Sequence, residues 1–162
     1  MLELVRQGWS SYRFEVHDGP VSVAELSLRR VREGATLTVA GEPYELRREG
    51  LVSRSFVLAR HGEELARASK ASALRGQLEI RHGDATHQLV KSPWLGNTHE
   101  LRRGGEAVGS VRPHHLFTRR AAITVPDDLP LAVTVFVAAL VRIMRQREGA
   151  AAGGGAGGGG GG

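Results

Sequence analysis

The residues of this chain that could do chemistry are mainly arginines, which occur in pairs and short groups. The chain has 22 basic and 17 acidic residues, and only Lys70 and Lys91 are lysines. A guanidinium group can bind phosphate oxygens through paired hydrogen bonds, so neighbouring arginines are candidates for an anion site. Because acids are interspersed among them, the competing interpretation is a mixed, solvated surface. The candidate lipid- or anion-binding residues are Arg29, Arg30, Arg32, Arg102, Arg103, Arg119 and Arg120.

The aromatic residues bear on which anion these arginines would bind. Nucleic-acid binding usually adds aromatic side chains that stack on bases, and this chain has only 5% aromatic residues. Tyr12, Phe14 and Tyr44 alternate with polar residues as core positions of strands do. Trp9 and Trp94 each lie near a turn, where the alternatives are a membrane interface and a cover over an end of the barrel, and we expect the cover. The sequence therefore predicts an anionic membrane lipid as the partner and no binding of nucleic acid. It does not identify a protein partner.

Other reactive groups have simpler interpretations. His114 and His115 would point to opposite faces of a strand, so they are not expected to chelate one metal ion. Asp127 and Asp128 precede an apolar segment, and one or the other is expected to cap a helix. There is no cysteine, no nucleophile elbow and no phosphate-binding glycine loop. We expect no catalytic residue, metal or cofactor, and interpret the chain as a non-catalytic binding or scaffold module.

The first 125 residues have the pattern of short antiparallel strands. Apolar residues alternate with polar ones, and turn glycines separate the segments. When the chain is aligned with itself, Gly19, Gly62 and Gly105 recur at a step of 43 residues, which defines units of up to four strands. These units contain eleven strands, and Leu2 to Arg6 can supply a twelfth. So many strands curl or close, which predicts a mainly β fold with a closed antiparallel barrel of about twelve strands.

One segment near the C-terminus differs from everything before it. From Leu129 to Val141 no residue is charged and only Thr134 is polar. A helix that is apolar on all sides must be buried, and a twelve-stranded barrel is too wide for its own side chains to fill. We therefore predict a central helix over about 128–147, with Pro130 in its first turn and Gly149 ending it. The domain is predicted to span 1–148, and the Ala/Gly-rich tail 149–162 is predicted to be disordered.

This organisation resembles a known group of proteins. Repeated four-strand units, a strand running into Val-Pro-Asp-Asp-Leu-Pro at 125–130, and an apolar helix with an arginine-rich end are similar to the tubby C-terminal-like superfamily. Within it, the chain most resembles the LURP-one-related proteins and their uncharacterised bacterial relatives, which are also similar to phospholipid scramblases in fold. The resemblance covers residues 1–148 and implies a twelve-stranded barrel around a buried C-terminal helix. Because tubby domains bind phosphoinositides and scramblases act at membranes, it also implies a peripheral binder of anionic phospholipid.

The expected location follows from the composition and from the length of the apolar segment. The absence of cysteine and of an apolar N-terminal segment predicts a cytoplasmic protein that is at most peripheral to the membrane. Scramblase activity is not expected, since no cysteine and no acidic calcium loop is present. The alternative is a single-pass, tail-anchored protein with a cytoplasmic β domain. The thirteen-residue uncharged run argues against it, because a span needs about twenty apolar residues.

Overall fold

The fold is described by a computed structural model, in which residues 1–8, 12–29, 33–50, 55–71, 77–114 and 120–153 are described. These residues form twelve β-strands and one α-helix. The strands are β1 (Leu2–Arg6), β2 (Arg13–Asp18), β3 (Val21–Leu28), β4 (Gly34–Val39), β5 (Glu42–Glu49), β6 (Ser55–Arg60), β7 (Glu63–Lys70), β8 (Leu78–His82), β9 (Ala85–Lys91), β10 (His99–Arg103), β11 (Glu106–Pro113) and β12 (Arg120–Thr124), and the helix is α1 (Leu131–Gly153).

Each strand pairs antiparallel with the next one in sequence, and β1 pairs with β12 to close the sheet. The twelve-stranded closed barrel predicted from the sequence is therefore confirmed. The alternation of side chains decides the register, because a slip of one residue would turn every apolar side chain outward. On β4, for example, Leu37 and Val39 lie on the inner face of the sheet and are buried, whereas Thr36 lies on the outer face and is exposed.

The C-terminal helix α1 fills the interior of the barrel. Every residue from Ala132 to Val141 is buried, and these side chains share one apolar core with the inward residues of the strands. Thr134, the one polar side chain of the run, donates its hydroxyl hydrogen to the carbonyl oxygen of Pro130 at 3.2 Å. Because this donor is satisfied within the helix, the polar side chain can lie in the core without the cost of an unpaired group.

The helix boundaries differ from the predicted ones at both ends. The helix begins at Leu131, three residues after the predicted start, and continues through Gly149 to Gly153. It therefore includes residues 149–153 of the tail predicted to be disordered, and the rest of that tail, 154–162, lies outside the described residues. Pro130 therefore precedes the helix, and the first turn of the helix contains no acidic residue. The predicted capping role of Asp128 is wrong, because its carboxylate binds Arg103 instead, at 2.8 Å. The longer C-terminal end is consistent with the high helix propensity of its alanines.

The connection from β12 to the helix enters the barrel beside Gly109 on β11. A Cβ atom at this position would lie 2.5 Å from the carbonyl oxygen of Thr124 and 3.1 Å from the Cα atom of Val125. A β-bulge accompanies the glycine, since the β10–β11 register shifts between Leu101 and Arg102. The missing side chain leaves room for the chain to turn from the barrel wall into the interior.

The strand registers correct the predicted repeat. The first hairpin of each unit has a β-bulge next to its turn, with the extra residue on the second strand. The last paired residues are Asp18 with Val21, Arg60 with Glu63, and Arg103 with Glu106. These equivalent pairs are separated by 42 and then 43 residues, so the uniform step of 43 is wrong by one residue between the first two units. The third unit has no fourth strand of its own, and β1 occupies that place beside β12.

The two ends of the barrel are built differently. At one end, which we call the turn end, two-residue connections join the strands at 19–20, 40–41, 61–62, 83–84 and 104–105. At the other end, which we call the loop end, the connections are 7–12, 29–33, 50–54, 71–77, 92–98 and 114–119. The helix begins near the turn end, where Asp128 contacts Arg103, and its later residues reach the loop end, where Glu148 contacts Lys91.

Candidate functional site

The charged side chains are sorted between the two ends of the barrel. We assign to each end its connections and the two outermost residues of each strand, and to the loop end also the helix from Arg142 onward. Within the described residues, the loop end then has eleven basic and five acidic side chains. The bases are Arg6, Arg13, Arg29, Arg48, Lys70, Lys91, Arg112, Arg120, Arg142, Arg145 and Arg147, and the acids are Glu33, Glu49, Glu79, Glu100 and Glu148.

The turn end has the opposite balance, with four basic and nine acidic side chains in the described residues. The bases are Arg60, Arg81, Arg102 and Arg103, and the acids are Glu3, Asp18, Glu42, Glu63, Glu64, Asp84, Glu106, Asp127 and Asp128.

The chain segments that lie outside the described residues between strands contain five more arginines and no acid by sequence. These segments are 9–11, 30–32, 51–54, 72–76 and 115–119. Charges that are interspersed along the chain are thus distributed unequally between the two ends by the up-and-down strand order, and the Glu3 carboxylate reaches across this division to Arg120 at 3.7 Å.

The arginines selected from the sequence do not converge on one surface. Arg29 and Arg120 lie at the loop end, whereas Arg102 and Arg103 lie at the turn end. Arg30, Arg32 and Arg119 lie outside the described residues. The seven residues therefore cannot form a single anion site, and the turn-end pair is set in acidic surroundings.

Each of the four described candidates has a carboxylate partner. The nearest atom pairs are Arg29 with Glu45 at 3.3 Å, Arg102 with Glu100 at 2.6 Å, Arg103 with Asp128 at 2.8 Å, and Arg120 with Glu3 at 3.7 Å. The Arg102 guanidinium, through its hydrogen bond, lowers the pKa of the Glu100 carboxyl. Exposed ion pairs of this kind contribute little to stability, typically about 0–1 kcal/mol each. The arginines are nevertheless engaged, which weakens the prediction that they alone define an anion site.

Arg142, a half-buried residue in the later turns of the helix, lies at the loop end. The Arg142 guanidinium stacks over the ring of Phe14, with its central carbon 4.6 Å from the ring centroid. Burial, together with the positive charges of Arg145 and Arg6, lowers the pKa of Arg142 to about 10. Desolvated guanidinium groups gain from the negative face of an aromatic ring, which explains the stacking.

Phe14 has structural equivalents in the other two units, and these residues line the rest of the barrel opening at the loop end. The registers place Phe56 of β6 and His99 of β10 at the same inward position. The Arg147 guanidinium stacks over Phe56, with its central carbon 5.3 Å from the ring centroid. The late turns of the helix therefore place a charged side chain over each of two equivalent aromatic rings, and the third unit has a histidine there instead.

His99 is fully buried, and neither ring nitrogen makes a hydrogen bond of normal geometry within the described residues. The backbone of Asn97 lies nearby, and the Lys91–Glu148 ion pair, at 3.0 Å, lies over this side of the mouth. Burial lowers the pKa of His99, and Lys91 and Arg145 act in the same direction while Glu148 opposes them. The imidazole is therefore neutral at pH 7 and acts as a core side chain.

A second buried histidine lies at the turn end. Arg103 donates from Nε to Nε2 of His87 at 3.1 Å and from Nη1 to Asp128 at 2.8 Å. Because arginine can only donate, His87 is neutral with its proton on Nδ1. Burial and the charge of Arg103 both lower the pKa of His87. The strand pair β9–β10 thus contacts the segment before the helix through Arg103 and Asp128, and the C-terminal part of the helix through Lys91 and Glu148.

The connection 92–98 presents two apolar side chains to solvent at the loop end. Trp94 is 89% exposed and Leu95 is 54% exposed, so the expectation that Trp94 covers an end of the barrel is wrong. Trp9, of which the same was expected, lies outside the described residues. The loop itself is well built, because the Ser92 N–H donates to the Thr98 carbonyl oxygen at 2.8 Å and the Leu95 N–H to the Ser92 hydroxyl at 3.3 Å. A structured loop with exposed apolar side chains is typical of a contact surface.

The described residues contain no group of three or more side chains that could hold a metal ion. His114 pairs with Glu3 at 3.0 Å, and His115 lies outside the described residues. Within the described residues, no helix has the length and apolar character needed to cross a bilayer. Compared with protein-family models, curated proteins and solved structures, the chain matches none.

Proposed function

We propose that this protein is a non-catalytic binding module that docks the loop end of its barrel on an anionic phospholipid surface. The observation that carries the proposal is the separation of charge, with eleven bases against five acids at the loop end and four against nine at the turn end. A net charge of +5 spread evenly would give no preferred orientation. A barrel with one basic and one acidic end is oriented by an anionic surface, with its basic end toward the lipid.

The dimensions of the barrel support end-on binding. Strands of five to eight residues rise roughly 3.3 Å per residue, so the two ends are roughly 15–25 Å apart. The Debye length is about 8 Å at physiological salt, so the acidic turn end lies outside the range of a membrane that touches the loop end. Each base near an anionic membrane contributes about 1 kcal/mol. The attraction is thus local to the loop end and sensitive to salt.

Trp94 and Leu95 supply the apolar part of the proposed contact. Tryptophan favours the interface of a membrane, where its ring lies at the level of the headgroups. Both side chains are on the loop end, on a connection whose backbone is held by its own hydrogen bonds. Inserting them requires little reordering, so their burial contributes without a large entropic cost.

Vesicle binding tests the proposal. We expect binding to vesicles that contain phosphatidylserine, no binding to phosphatidylcholine alone, and a steep loss of affinity with salt. The double variant Lys70→Gln/Arg112→Gln removes two exposed loop-end charges and should weaken binding by tenfold or more, from about 1 kcal/mol per charge. The matched control Arg60→Gln/Arg81→Gln removes two charges from the turn end and should leave the affinity within about twofold.

Two further measurements make the test sharp. Trp94→Ala should weaken binding and should remove most of any blue shift in tryptophan emission on vesicle addition. Equal affinity for both vesicle types, or equal losses in the loop-end and turn-end variants, would contradict end-on docking. Binding to an oligonucleotide but not to anionic vesicles would replace lipid by nucleic acid as the partner. The similarity to the tubby C-terminal-like superfamily stays a prediction and agrees with the proposal.

A further inference from the structure

Two arginines at the loop end hold a carboxylate of the same chain in the way they would hold a small anion. The Glu33 carboxylate receives hydrogen bonds from Nε and Nη2 of Arg147, one to each oxygen, and from Nη1 of Arg48 at 2.8 Å. This is the planar, two-pronged geometry with which a guanidinium binds phosphate or carboxylate. We call Arg48 and Arg147 the arginine cradle.

The fold fixes the side chain of Arg147 and the backbone of Arg48 independently of Glu33. Arg147 lies on the central helix and stacks over Phe56, and Arg48 lies on β5 directly across from Phe56 in the β5–β6 register. Glu33 lies just before the first paired residue of β4, so it is outside the hydrogen-bonded strands. The Arg147 guanidinium is thus positioned without Glu33, and strand pairing fixes the backbone of Arg48, whose guanidinium contacts Glu33. The carboxylate can leave by rotation of its own side chain.

A pocket adjoins the cradle, with a volume of about 220 Å³, or roughly seven water volumes. Leu28 and Ile143 supply apolar lining, and Arg29 and Arg147 place guanidinium groups beside it. The two cradle arginines carry two positive charges against the single negative charge of Glu33, which leaves one charge uncompensated. The pKa of the Glu33 carboxyl is lowered, mainly by its hydrogen bond from Arg147, so it is ionised at neutral pH.

We propose that the arginine cradle is a binding site for a phosphate monoester, and that Glu33 is a built-in competitor that occupies it when the ligand is absent. A phosphate dianion matches the two guanidinium charges better than one carboxylate does. The tethered carboxylate competes at an effective concentration in the millimolar range or above, so only a ligand presented at high local concentration displaces it. The inference goes beyond membrane docking, because it concerns a small-anion site that does not include Trp94 or Leu95.

The test compares Glu33→Gln with Glu42→Gln, which removes the same charge from an exposed ion pair at the turn end. Inorganic phosphate is titrated at constant ionic strength against chloride, and binding is followed by calorimetry and by the shift in melting temperature. We expect Glu33→Gln to bind phosphate at least tenfold more tightly than the wild type and Glu42→Gln to match the wild type. Adding Arg48→Gln to Glu33→Gln should abolish the gain.

A measurement on the wild type guards against a variant that fails to fold. The Nε–H resonance of Arg147 should shift on phosphate addition and remain fixed on addition of equivalent chloride. Equal phosphate binding by both glutamine variants, or an unchanged Arg147 resonance at saturating phosphate, would overturn the proposal.

Vesicles distinguish the two sources of the ligand, and they separate this site from membrane docking. If the monoester is a lipid headgroup, Glu33→Gln should improve binding to phosphatidate vesicles more than to phosphatidylserine vesicles of equal charge. If the ligand is a free phosphate monoester, only the titration in solution responds. Vesicle binding without any response to phosphate at the cradle would retain the docking proposal and reject this one.

Discussion

Replacing His99 by phenylalanine should stabilise the protein and flatten its response to acid. The reasoning rests on the barrel repeat, in which Phe14 and Phe56 occupy the two positions equivalent to His99. His99 is 0% exposed, and both ring nitrogens lack a hydrogen bond of normal geometry within the described residues. Leaving a buried polar group unpaired costs about 1–3 kcal/mol. Phenylalanine removes this cost but adds volume, which can cost about 1–3 kcal/mol in a packed core.

The expected net gain at pH 7.5 is therefore about 1 kcal/mol, measured as the free energy of unfolding in urea. For a domain of this size that corresponds to roughly 2–4 °C in the melting temperature. Because the mouth of the barrel accommodates a phenylalanine ring at both equivalent positions, we expect the gain from removing the nitrogens to exceed the strain. His99→Leu, which adds less volume, separates the two contributions and should be stabilising if overpacking offsets the gain in the phenylalanine variant.

The acid response supplies the sharper test. Burial lowers the pKa of His99 in the folded state, so below about pH 6.5 the unfolded chain binds a proton that the folded chain does not. Wild-type stability should fall as pH decreases below that value, by about 1.4 kcal/mol per pH unit for each such histidine, until the folded pKa is reached. His87 behaves in the same way, since its pKa is also lowered by burial and by Arg103.

Between pH 7.5 and 5.5, His99→Phe should therefore lose less stability than the wild type, and protonation of one histidine in the unfolded chain limits the difference to about 1.4 kcal/mol. Carboxylates with lowered pKa values titrate below this window and are common to both proteins. If the two proteins lost equal stability over this interval, His99 would not be the group that resists protonation. A loss of more than 1 kcal/mol in both the phenylalanine and leucine variants at pH 7.5 would show that the imidazole makes a stabilising contact.

Two further substitutions test the position of the helix. Val137→Asp should abolish folding, because this side chain is fully buried in the barrel core and an unpaired charge there costs several kcal/mol in addition to the lost apolar burial; a soluble variant with an unchanged melting curve would rule out the central helix. Gly109→Ala should destabilise the protein by about 1–3 kcal/mol, since its Cβ would lie 2.5 Å from the Thr124 carbonyl oxygen. The control Ala107→Gly, at an exposed position of the same strand, should change stability by less than that, and equal effects would deny Gly109 its special role.

Those parts of the fold that depend on local pattern were predictable from the sequence. The alternation of apolar residues on strands such as β4 and the apolar run around Val137 depend only on side-chain period and burial. The exact repeat could not be predicted from the sequence, because an alignment on the turn glycines does not align the inward-facing positions of the strands. Gly19 is the first residue of its two-residue turn, whereas Gly62 and Gly105 are the second residues of theirs. Only the strand registers reveal that Phe14, Phe56 and His99 are equivalent.

The candidate site was less predictable, because it depends on which residues the barrel brings together. Glu33 and Arg147 are 114 residues apart, and no local pattern connects them. The arginine groups were selected by adjacency in sequence, although adjacent residues such as Arg102 and Arg103 mark a position along one strand and not a surface. The position of Asp128 next to the apolar run predicts a helix cap, but the long-range partner Arg103 decides the role of its carboxylate.

The closed barrel also limits where a partner can bind. An open sheet can add a strand from a partner at its edge, but here β1 and β12 pair with each other and leave no edge within the described strands. The interior is filled by the helix, so it offers no channel to a ligand. Recognition is then confined to the outer wall and the two ends. Of these surfaces, the loop end combines basic side chains, the exposed Trp94 and the arginine cradle. The last helical residues at this surface belong to a helix whose earlier turns are buried in the core. A ligand that displaces Glu33 from Arg147 would therefore act on a rigid element, and we expect its binding to alter charge at the loop end without altering the barrel.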